Sequence, residues 1–222
     1  MSLNNYLVAI FVVSLSGCIS GTQPINFNAT DPVNKVTYNQ NKKSNGVILL
    51  DVNWGRSWSC GGFENAQLIS LAFDKLPIID SSNVAIPNIV LQSPSRINVA
   101  QKFINYAYSI PAGEYALSAY SIKAAKSVSE VGFFTAQRDT LFIAGKPIGG
   151  TFSVEQGETV FLGNFYLDCT YKPTLWRYYS KNRQAFKEQI TEYQNTFPYL
   201  DLSDVKFKLF KTKEFGHDYD LK

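Results

Sequence analysis

Four carboxylates, Asp51, Glu64, Asp74 and Asp168, are the side chains with which this chain of 222 residues could do acid–base chemistry. Glycoside hydrolysis needs only two such groups facing one another across a sugar. Asp51 and Asp168, however, occupy the polar parity of alternating apolar runs, which places them on solvated sheet surface. The single histidine, His217, lies in a polar tail beside Asp218 and Asp220. Zinc chemistry, or a serine or cysteine nucleophile, would have to recruit that one imidazole. Cys60, in Trp58-Ser59-Cys60-Gly61-Gly62, has the look of a thiol nucleophile but no second histidine to serve it. There is no Gly-x-Ser-x-Gly elbow, and Gly145 to Gly150 lacks the spacing and following helix of a phosphate or dinucleotide loop. The expectation is a protein with no catalytic residues, no metal and no cofactor.

Two aromatic clusters are better candidates for function. Trp54, Arg56 and Trp58 fall within five residues beside a glycine pair, and Trp176, Arg177 and Tyr178 follow Pro173. Each cluster could form a platform on which a partner's aliphatic group or a sugar stacks, or could equally be packed in a core. Lys206, Lys208, Lys211 and Lys213 form a basic stripe, which reads as a charged strand edge that resists aggregation or as a contact for anionic lipid or glycan.

The N-terminus supplies an address. Leu15-Ser16-Gly17-Cys18 follows the apolar run Leu7 to Val13, which is too short for the roughly 18 residues of a membrane span. This segment resembles the lipobox of bacterial lipoproteins. The resemblance implies a signal peptide over 1–17 and a lipid anchor on Cys18; Ile19, in place of an aspartate, implies the outer membrane. Several acyl chains make such an anchor stable. In that compartment Cys60 and Cys169 remain as an even pair suited to a disulfide, with two separate buried thiols as the alternative. The formal charge of +3 is too small to argue for nucleic acid.

Periodicity then sets the elements. Residues 18–45, rich in Asn, Thr, Gln and Lys, read as a polar tether from the acylated cysteine. From Gly46, Ile48, Leu50, Val52 and Trp54 alternate with Asp51 and Asn53. Further strands are predicted over Gln67 to Phe73, Ala85 to Leu91 and Lys102 to Ile110. Pro111-Ala112-Gly113 is predicted to close a hairpin, and a second hairpin is expected around Gln137-Arg138-Asp139. Strands at Thr151 to Val154 and Glu158 to Cys169 flank another turn. Phe186, Ile190, Tyr193 and Phe197 recur at helical spacing, from near Asn182 to Pro198, and Lys206 to Phe210 alternates as a possible added edge strand, with Val205, Phe207 and Leu209 opposite Lys206 and Lys208. The fold class is mainly β: an antiparallel β-sandwich over 46–172, with a helix and strand tail over 173–222 packed on it.

Ile110-Pro111-Ala112-Gly113-Glu114-Tyr115 and Val154 to Phe165 resemble the prealbumin-like and carboxypeptidase-regulatory-like sandwiches of bacterial lipoproteins. That resemblance implies about seven strands in two sheets, used for presentation, adhesion or assembly, and carries no catalytic residue. The expected function is a lipid-anchored envelope module that binds or scaffolds a protein partner. An inhibitor or immunity lipoprotein, or a glycan-binding or glycan-active domain, is the alternative.

Overall fold

The computed structural model describes residues 27–79, 82, 85–94 and 101–221. The signal peptide and Cys18 lie outside the described residues. Thirteen strands and three helices follow in order. They are α1 (Lys35–Asn41), β1 (Asn45–Asn53), β2 (Ser57–Cys60), β3 (Phe63–Lys75), β4 (Ile89–Gln92), β5 (Phe103–Pro111), β6 (Gly113–Ala125) and β7 (Val131–Ala136). Then come α2 (Arg138–Leu141), β8 (Phe142–Ile143), β9 (Lys146–Pro147), β10 (Thr151–Val154), β11 (Thr159–Asp168), β12 (Thr174–Tyr178), α3 (Arg183–Thr196) and β13 (Val205–Phe207).

Two sheets form the sandwich. One runs β12-β11-β1-β5, with β13 also on β11; the other runs β10-β6-β3-β2, with β4 on β3 and β7 on β6. Between them lies a core built from the apolar parity of β1, Ile48, Leu50, Val52 and Trp54, against Leu71, Phe73 and Leu117 of the facing sheet. The mainly β sandwich with a C-terminal helix is therefore as the alternation predicts. Its pairing is mixed, because β1 and β13 both run parallel to β11.

A third layer explains why β1 is buried on both faces. The Phe186, Tyr193 and Phe197 stripe of α3 packs over Val47, Leu49 and Phe161, giving a second apolar cluster on the outer face of the β1 sheet. Asn182 caps this helix by accepting from the Ala185 amide at 2.9 Å, as the sequence predicts.

Several expectations need correction. Pro111-Ala112-Gly113 does not close a hairpin: β5 pairs with β1 and β6 with β3, so the turn arches from one sheet to the other. Turn chemistry is the same in both cases, and only the distant pairing separates them. The segment around Arg138 is a short helix rather than a hairpin, because Arg138 turns inward to a buried partner. The strand expected over Ala85 to Leu91 forms only at Ile89–Gln92. Residues 27–45 are not a free tether: Asn34 caps α1, and the backbone amides of Thr30 and Val33 each bond a strand carbonyl at 2.8 Å. The sandwich also continues past residue 172, since Thr174–Tyr178 pairs with β11 as β12.

Candidate recognition surface

The outer face of the β1 sheet divides in two. Under α3 it is sealed, and the boundary is marked by Asp51, which is only 3% exposed instead of lying on solvated surface. The side chain points away from the inter-sheet core, as its parity requires, but the helix covers that side too. Its carboxylate accepts from the Tyr193 hydroxyl, from Gln189 Nε2 and from Asn105 Nδ2, the last at 3.0 Å. Gln189 also donates to Asn164 Oδ1 at 2.7 Å, tying α3 to β11. Burial outweighs these donors and raises the Asp51 pKa from 3.8 to about 6. Burial, followed by the neighbouring carboxylate, raises the Tyr193 phenol as well.

Beyond that boundary the same face is open. Asn164, Tyr166 and Asp168 of β11 stand opposite Tyr178, Trp176 and Thr174 of β12, so these side chains share a face. Phe103 joins them from β5, its ring 6.3 Å from Tyr166 at 74°. His217 lies edge-on to Trp176 at 5.3 Å. Phe103 is 40% and Tyr178 38% exposed, and Trp176 and Tyr166 are half-buried. Polar groups frame the strip: Gln101 donates to the Tyr166 hydroxyl at 2.8 Å, and Asp168 holds the Thr170 hydroxyl and amide.

The six residues proposed for recognition separate accordingly. Trp176 and Tyr178 lie in the strip. Arg177, between them, points the opposite way and is fully buried, because strand alternation places it with Leu175. Its aliphatic stem fills the space left by Gly163, whose φ of +111° permits the close approach. Its Nη2 donates to the His217 carbonyl at 2.7 Å, and its guanidinium lies 5.7 Å from the Tyr179 ring. Trp54 is likewise core, its indole N–H donating to the Tyr106 hydroxyl at 2.8 Å. Trp58 is 61% exposed, with the Arg56 guanidinium 5.5 Å above its ring.

A disulfide joins Cys60 to Cys169 and so ties the Trp58-bearing strand β2 to the end of β11, one residue beyond Asp168. Phe103 and Tyr166, which complete the strip, were not singled out in the sequence. Their signal was present, in aromatic residues on the outward parity of β5 and β11.

The carboxylates considered for hydrolysis lie in separate settings. Asp74 forms a buried ion pair with Arg138 at 2.7 Å, Asp168 serves Thr170, and Glu64 is exposed. Among the described residues, no group of three or more His, Cys, Asp or Glu is placed to hold a metal, and no helix is long and apolar enough to cross a membrane. The sandwich is a β-rich fold whose outer sheet face carries a partly exposed aromatic strip. No family model, curated protein or solved structure matches the chain.

Proposed function

We propose that this is a lipid-anchored, non-catalytic binding module of the bacterial outer membrane, and that the strip of Phe103, Tyr166, Trp176 and Tyr178 docks a protein partner. The observation that carries this reading is the uneven cover of one sheet face. Half is sealed by α3, while the other half leaves four aromatic side chains in contact with solvent. The rings of Phe103 and Tyr166 meet at 74° and those of Trp176 and His217 at 78°, a corrugated surface into which a partner's side chains can interdigitate. The Leu15 to Cys18 pattern supports the anchor, and a disulfide fits an oxidising compartment.

The test is capture of a partner from the protein's own membrane by the intact chain, compared with Trp176→Ala and Tyr178→Ala. Loss of a central aromatic anchor lowers affinity by about 30-fold or more. The thermal midpoint should stay within about 3 °C, since neither ring is core. Undiminished capture by both variants would remove the strip from the account, and an unmodified Cys18 in intact-mass analysis would remove the anchor.

A further inference from the structure

A second site is formed on the far side of α3, independent of the aromatic strip. A groove of about 750 Å³ opens between the helix, the β13 segment and the C-terminal stretch. That volume lies within the range of about 300 to 1,000 Å³ typical of small-molecule sites. Phe186, Ile190, Leu202, Val205 and Phe207 make its floor, so an occupant meets hydrocarbon and aromatic surface.

The rim has a different chemistry. Arg183 and Lys187 stand one helical turn apart at one edge, both exposed, and among the described residues neither forms an ion pair. Lys206 is also at the rim, but Asp204 neutralises it at 2.8 Å. Among the described residues no acidic side chain lines the groove, and the hydroxyls of Thr191 and Ser203 are the remaining polar side-chain groups. Two free cations above an apolar trough complement a molecule with one small anionic head and one hydrocarbon tail. A purely apolar peptide segment would leave the cations unused, and a bulky diacyl lipid would exceed a single trough.

We infer that this groove binds a long-chain fatty acid, with the carboxylate between Arg183 and Lys187 and the acyl chain along Phe186, Ile190 and Phe207. Carboxylate recognition by Arg is directional, and Lys contributes a point charge beside it. Chain length contributes the remaining affinity, up to about fourfold per methylene where burial is complete.

The experiment is calorimetric titration of the full chain with palmitate below its micellar concentration, alongside decanoate and methyl palmitate. Palmitate is expected to bind with 1:1 stoichiometry, decanoate at least 100-fold more weakly, and the uncharged ester at least tenfold more weakly. The double variant Arg183→Glu, Lys187→Glu is expected to lose at least tenfold for palmitate. Thr191→Trp, an exposed position at the groove mouth, is expected to block binding with an unchanged thermal midpoint. Absent palmitate binding, equal affinity for the ester, or full affinity in either variant would each overturn the inference. Cross-linking of a protein to Lys187 that palmitate fails to displace would overturn it in favour of a peptide groove.

Discussion

Replacing Asp51 by Asn should make this protein more stable in mild alkali, although it removes a residue with three hydrogen-bond donors around it. Folding raises the Asp51 pKa from 3.8 to about 6. Ionisation therefore favours the unfolded chain: the group's contribution is complete below 3.8 and is lost as pH rises through about 6. That rise corresponds to about 3 kcal/mol, of which about 2 kcal/mol falls between pH 4.5 and 8. Asn keeps an acceptor for the Tyr193 hydroxyl and removes the buried charge. Unfolding of wild type and Asp51→Asn in urea at pH 4.5 and pH 8 gives the test, because other titrating groups cancel in the difference. The variant's advantage should grow by about 2 kcal/mol between the two values, or roughly 4 to 8 °C in midpoint. Asp51→Leu should instead destabilise at both, leaving the Tyr193 hydroxyl without its acceptor and Gln189 with Asn164 alone. Parallel pH profiles for wild type and the Asn variant would refute the claim that a desolvated carboxylate lies beneath α3.

Other perturbations follow from the same geometry. Trp54→Ala should cost about 3 to 5 kcal/mol in chemical unfolding, since it empties a fully buried site, whereas Trp58→Ala should change stability by less than about 1 kcal/mol. Replacing both Cys60 and Cys169 by Ala opens a loop spanning 109 residues. The chain-entropy relation puts the loss at about 5 kcal/mol, read as a lower urea midpoint matching that of the reduced wild type. Arg138→Met leaves Asp74 buried without its cation and takes the guanidinium donor away from the carbonyls of Ser82 and Ala85. A loss of about 3 to 5 kcal/mol is expected, together with new protease cleavage near Ala85.

What could be read from the sequence was whatever a local period decides. The apolar parity of Ile48 to Trp54 fixed the inner face of β1, and the stripe Phe186, Ile190, Tyr193, Phe197 fixed the helix. By the same parity Trp54 belonged with the core, and Arg177 belonged with Leu175; grouping them with their sequence neighbours as platforms ignored strand alternation. Relations between distant segments were not legible. Asp51 meets Tyr193 across 142 residues, and nothing near Asp51 announces that a helix will cover its polar side. Pro111-Ala112-Gly113 shows the same limit: its residues specify a turn, while the choice between hairpin and arch is made by β1 and β3. The rim of Arg183 and Lys187 is ordinary helical surface in sequence, and becomes a site only when the β13 segment folds against it.

Under the proposed function, the open half of the outer sheet face meets a protein. The most direct measurement places a photo-reactive amino acid at Tyr178 in the native cell, with a control at exposed Val36 on α1. Irradiation should yield one discrete protein adduct from position 178, in high yield and absent from position 36. Adducts that are equal at both positions, or that contain only lipid or glycan at 178, would contradict the account.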